Sequence, residues 1–190
     1  MKIAVDAQHI GKPGRCLDRG ASAGGYREVD VATAYALGLD RRLIELGHDV
    51  LWVGAGEYRA RWALADSWGA QIYLACHCNA GGQGRDEALI FYDLRSNRGR
   101  TLAVSVATGL LGRALAARPD TNGTARDADY SEAFATISGV RAVALCLEPL
   151  FLDGARTQAR LQADGHPWGL GQEIGRSIAD HLHRAIGTWT

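Results

Sequence analysis

Short runs of consecutive apolar residues alternate along the chain with longer stretches in which apolar side chains recur every three or four positions. That alternation is the pattern of strands and helices layered on a sheet. Lys2 to Asp6 reads as the first strand, with Ile3 and Val5 on one face and Ala4 on the other. After a glycine-rich loop from Gly11 to Gly25, a helix is predicted from about Arg27 to Leu46, on Val29, Ala32, Tyr35, Ala36, Leu39, Leu43 and Leu46. Gly47 stands where a left-handed residue closes a helix. Asp49 to Val53 reads as a second strand, Tyr58 to Ser67 as a short helix, Gln71 to Cys76 as a third strand and Ala88 to Tyr92 as a fourth. A long helix is predicted over about Arg100 to Ala117, a polar surface loop over Arg118 to Tyr130, a buried strand over Ala142 to Leu147 and a closing amphipathic helix over Leu170 to Ala185. The expected fold is α/β, one domain over residues 1–190, with a mixed, mostly parallel sheet and helices on both faces.

Composition narrows the function classes. The 190 residues suit one such domain, and 47% apolar with 22% charged residues is ordinary for a globular protein. Acids and bases balance at 21 each, so no net field attracts nucleic acid or an anionic membrane, and neither is expected as a partner. The start, Met1-Lys2-Ile3-Ala4-Val5-Asp6, lacks the apolar core of roughly 7–15 residues that a secretory signal needs. No window reaches the roughly 20 apolar residues of a membrane-spanning helix. Synthesis in the cytoplasm, without membrane insertion, is the expectation. The four cysteines (Cys16, Cys76, Cys78 and Cys146) lack paired zinc-finger spacing and are expected as free thiols.

Four polar residues stand at positions where a sheet protein builds sites. His9 lies just past the first strand, His77 at the end of the third, Glu148 at the end of the strand through Leu147, and Glu28 opens the first long helix. Ligands of α/β sheets gather at the carboxyl ends of the strands, where the loops diverge. Two imidazoles and one carboxylate make a ligand set for catalytic zinc, which leaves its fourth position to water. A further carboxylate can then take a proton from that water and return it to a leaving amine, and Glu148 fits by position. Each residue also has a plainer reading: a strand-end histidine as a structural side chain, a helix-start glutamate as a dipole partner. Val53-Gly54-Ala55-Gly56 mimics a dinucleotide loop, but Arg59 stands where the third glycine belongs, so it reads as a strand-to-helix turn.

The motifs in order decide between these. Asp6-Ala7-Gln8-His9 before a glycine-rich loop, Gly25-Tyr26-Arg27-Glu28, Cys76-His77-Cys78-Asn79-Ala80 and Leu147-Glu148-Pro149-Leu150-Phe151-Leu152 resemble the zinc-dependent N-acetylmuramoyl-L-alanine amidases of the third type, which include cell-separation amidases, spore-cortex amidases and phage endolysins. The resemblance spans nearly the whole chain. It implies that His9, Glu28 and His77 bind Zn2+ and that Glu148 is the catalytic acid/base. Gln8 replaces the usual glycine before the first histidine, Ala75-Cys76 replaces Ser-Ile, and Pro149-Leu150 stands where glycine is common. None of these changes removes a group the mechanism needs. Asn79 is a substrate-binding candidate, with turn formation as its alternative role.

The function this implies is hydrolysis of the amide joining N-acetylmuramic acid to L-alanine in peptidoglycan, by a monomer acting on the cell wall after release from the cytoplasm, as a phage or prophage endolysin does. The rival readings are another zinc peptidase or deacetylase, and a non-catalytic, zinc-stabilised wall-binding domain.

Overall fold

Strand β1 (Lys2–Ala7) is buried from Ile3 onward on both of its faces, which only a central strand of a layered sheet permits. The structure, a computed structural model, describes residues 1–10, 20–82, 84–117 and 133–189. On one side β1 pairs in parallel with β4 (Asp49–Val53), on the other with β5 (Ile72–Cys76). Beyond β5 lies β8 (Val143–Glu148), also parallel, then β6 (Leu89–Asp93), antiparallel to β8, and β7 (Arg113–Ala117), parallel to β6. The order across the six strands is β4-β1-β5-β8-β6-β7. A two-stranded hairpin, β2 (Ser22–Ala23) with β3 (Tyr26–Arg27), leads into the first helix.

Strand alternation sends the sheet's side chains into two cores. Ile3, Val5, Ile72, Leu74, Leu145 and Leu147 face one way, against α1 (Glu28–Glu45), α3 (Asn97–Gly109) and α6 (Trp168–Ile186). Ala4, Tyr73, Ala75, Phe91 and Cys146 face the other, with Ala65 of α2 (Tyr58–Trp68) and with α4, described over 133–137. The remaining helix, α5 (Ala155–Asp164), contributes Leu161 to the first core. The expected mixed, mostly parallel sheet with helices on both faces is what forms.

Most predicted elements stand within a residue or two of their expected limits, and Gly47 takes the positive φ of 81° that a helix-closing residue needs. One expectation is overturned. The predicted helix through Ala117 ends at Gly109; Leu111 turns left-handed at φ 54°, the Gly112 amide donates to the Ala107 carbonyl, and 113–117 becomes strand β7. The Arg-Ala-Leu-Ala-Ala run favours helix in isolation, but β6 presents backbone groups that need partners, and that pairing overrides local preference. The predicted Arg118–Tyr130 loop falls outside the described residues.

Helices α1 and α6 approach closely because glycines line the contact. A Cβ at Gly171 would stand 2.6 Å from the Cβ of Ala34, and one at Gly175 would overlap the Tyr35 carbonyl oxygen and the Leu39 amide. Since backbone cannot yield as a flexible side chain can, Gly175→Ala is expected to destabilise the fold by about 1–3 kcal/mol. An unfolding free energy from urea titration lowered by less than about 0.5 kcal/mol, the range of ordinary surface changes, would show that the helices separate freely.

Candidate metal centre

Four chain segments meet at the carboxyl ends of β1, β5 and β8. His9 stands two residues beyond β1 in a left-handed conformation, φ 64°, which a histidine adopts only when its surroundings hold it there. His77 follows β5 directly, Glu148 is the last residue of β8, and Glu28 is the first residue of α1.

Glu28 is the hub. Its Oε1 lies 3.0 Å from Nε2 of His9 and 3.1 Å from Nδ1 of His77. The same oxygen accepts the Cys78 amide at 3.0 Å, and Oε2 accepts the Ala21 amide at 2.9 Å. Both carboxylate oxygens are therefore fixed by backbone donors, and Ala21 closes the clasp by accepting the Glu28 amide at 2.8 Å. Burial works to raise the Glu28 pKa, but hydrogen bonds from His77 and His9 outweigh it and hold the carboxyl well below its ordinary range. It remains an anion.

The donor set fits a metal. One ligand atom from each of His9, Glu28 and His77 lies within 4.8 Å of the others. Tetrahedral zinc with bonds of about 2.0–2.1 Å asks for donor separations of roughly 3.3–3.4 Å, close to the distances around Glu28. The Nε2 of His77 is buried and has no hydrogen-bond partner among the described residues, so the ring as it stands is under-satisfied. The two imidazoles meet edge to face, with centroids 5.1 Å apart.

Glu148 borders this cluster. Residue Cys76 pairs with Leu147 in the β5–β8 register, and the His77 amide donates to the Leu147 carbonyl at 2.9 Å, which sets His77 beside Glu148 at neighbouring strand ends. The buried thiols of Cys78 and Cys146 are pushed far up, first by burial and then by the charges of both Glu28 and Glu148, so the two carboxylates flank the same ground. Cys76, its thiol pushed well up chiefly by burial, belongs to the first core with Cys78, and Cys146 faces opposite Leu147 as alternation requires. Among the described cysteines all are free. They are packing residues.

Asn79 takes the turn role: its Oδ1 accepts the Ala80 amide at 2.8 Å, and its backbone bridges to Leu150 and Leu152. Sequence reasoning missed Tyr35. Its hydroxyl reaches the carbonyl of His77 at 2.7 Å and that of Leu147 at 3.0 Å, tying together the strand ends that bear His77 and Glu148. Burial pushes its pKa far up, so it stays a donor. Two turns after Glu28 on α1, Tyr35 reads in the sequence as one more core residue. Away from the site, His48 and His183 meet at 3.0 Å between ring nitrogens.

The sequence matches the profile of a family described as N-acetylmuramoyl-L-alanine amidase over residues 3–180. No curated protein matches it. Among solved structures, the amidase AmiC2 of Nostoc punctiforme superposes with a TM-score of 0.72 at 17% identity, covering 100% of this chain and 96% of that one. The catalytic domain of the CD27L endolysin targeting Clostridia difficile gives 0.72 at 16% identity, with 97% of each chain covered. Cwp6 from Clostridium difficile gives 0.77 at 18% identity over 97% of this chain, which spans 29% of the length of that protein.

Proposed function

Because the chain belongs to the N-acetylmuramoyl-L-alanine amidase family, we propose that it hydrolyses the amide between N-acetylmuramic acid and L-alanine of peptidoglycan, with His9, Glu28 and His77 as zinc ligands and Glu148 as acid/base. The domain that acts is the α/β unit over residues 1–190. The observation that carries this reading is the convergence of three ligand atoms within 4.8 Å from three distant points of the chain.

A zinc ion held there supplies Lewis acidity, lowering the pKa of water toward about 7 and polarising an amide carbonyl. The chain's residues do the rest. Glu28, anionic and clasped by two backbone amides, gives the site one negative charge beside the two imidazoles. Glu148 removes a proton from the attacking water as its oxygen bonds to the lactyl carbonyl carbon. It then delivers that proton to the L-alanine nitrogen as the C–N bond breaks, so that a carboxylate and a free amine leave. Tyr35 keeps the strand ends of His77 and Glu148 in register throughout. Asn79, just past His77 with its Oδ1 committed to the turn, is assigned a substrate contact through its remaining amide group.

The test is digestion of purified peptidoglycan by protein of measured metal content. The expected result is one zinc per chain, new L-alanine amino groups without new reducing sugar ends, and loss of both zinc and activity on prolonged chelation. New reducing ends, or amino groups from another residue, would overturn the assigned bond. For the biological setting we take lysis by a phage or prophage endolysin, supported by the likeness in fold to the CD27L catalytic domain. Recovery of the protein from medium around intact cells lacking holin activity would count against it. Among the described residues no helix is long and apolar enough to cross a membrane.

A further inference from the structure

Asp6, Gln8, Arg61 and Tyr73 are completely buried, yet none belongs to the donor set. Such polar groups stay inside only when each is answered by a partner. Here the partners run along the turn that carries His9. Arg61, in the first turn of α2, donates from Nε to the Gly56 carbonyl at 2.7 Å, from Nη1 to the Ala7 carbonyl at 3.1 Å and from Nη2 to the Ile10 carbonyl at 2.5 Å. Its Nη1 also meets the Asp6 carboxylate, whose second oxygen receives the Tyr73 hydroxyl and the Gln8 side-chain amide. The Gln8 backbone amide reaches the Cys76 carbonyl at 3.3 Å.

Ala7 and Ile10 bracket Gln8 and His9, so one guanidinium grips the chain on either side of the left-handed histidine. A backbone in that conformation persists where its surroundings over-determine it. We infer that Arg61 is a positioning residue: its fork holds the 7–10 turn so that His9 presents Nε2 to Glu28 at 3.0 Å. This rests on the reading of His9, Glu28 and His77 as metal ligands. Lysine brings the same charge to Asp6 but only one nitrogen on a flexible stem, and it cannot span three carbonyls in different directions.

Arg61→Lys, the exposed control Arg59→Lys and the wild type are compared by zinc titration against a competing chelator, by the visible d–d spectrum of the cobalt-loaded protein, and by melting of the metal-free form. Expected are a zinc affinity lowered about 10–100-fold, the range for residues that orient metal ligands, altered cobalt bands in Arg61→Lys, and no change in Arg59→Lys. Where Arg61→Lys fails to fold, the charge-neutral pair Asp6→Asn/Arg61→Gln removes the grip without stranding a buried charge, and the same loss of affinity is expected. A purely structural role predicts a lower melting temperature with affinity and cobalt bands unchanged in the folded protein, and that result overturns the inference. A wild type that binds no zinc overturns instead the metal-site reading beneath it.

Discussion

Glu148→Gln is expected to leave zinc bound and remove nearly all amide hydrolysis. Glutamine matches the shape of glutamate but cannot carry a proton between the water and the leaving nitrogen. A positioned general acid–base group contributes roughly 10²–10⁴-fold, so release of L-alanine amino groups should fall by that factor, about 3–5 kcal/mol of barrier. The ligand atoms of His9, Glu28 and His77 form their cluster without Glu148. The paired measurement is therefore zinc content. Full occupancy with lost activity supports the acid/base role. Activity within a few-fold of wild type would remove Glu148 from the mechanism, and loss of zinc along with activity would make it part of the metal's own support. Glu28→Gln is the contrasting case, because it takes away the anion on which both histidines converge.

The fold was legible where a single period dominated a segment. Strand β4 was predicted over Asp49 to Val53 and forms there, and the apolar spacing that marks α1 buries Ala32, Tyr35, Ala36, Leu39 and Leu43. It was illegible where few side chains reach the core. Helix α5 buries only Thr157 and Leu161, one turn apart, too thin a stripe to stand out in Ala-Arg-Thr-Gln-Ala-Arg-Leu-Gln-Ala-Asp. Strand β7 was lost for the opposite reason, since its alanines and leucine suit a helix and only a neighbouring strand makes them extended. His9, Glu28 and His77 could be picked out because each is a polar residue at an element boundary. What holds them could not. Tyr35 acts through a hydroxyl at the end of a side chain that sequence patterns count as apolar. Arg61 acts through carbonyls, which no sequence displays. The one available signal was Asp6, a charge between Val5 and Ala7 in a buried strand, which demands a cation from somewhere in the fold.

That demand sets the largest stability change we expect. Asp6→Asn keeps the volume of the side chain and removes the charge that answers Arg61, itself wholly buried. Burial raises the Asp6 pKa while Arg61 and Tyr73 oppose the rise, and the Tyr73 hydroxyl is pushed far up by burial and by Asp6, so it donates rather than accepts. An asparagine amide would turn donors toward Arg61, Tyr73 or Gln8, all of which donate here. Breaking one side of a buried ion pair costs about 3–5 kcal/mol. At roughly 2–4 °C per kcal/mol for a chain of this size, the metal-free protein should melt on the order of 10 °C lower. Replacing both partners, as Asp6→Leu/Arg61→Leu, leaves no stranded charge and should recover much of that loss. The zinc affinity should stay low, because the carbonyls of Ala7 and Ile10 have lost their donors. Melting of Asp6→Asn within about 2 °C of wild type would mean that the guanidinium finds another counter-charge or water, and the pair could no longer be called the anchor of the His9 turn.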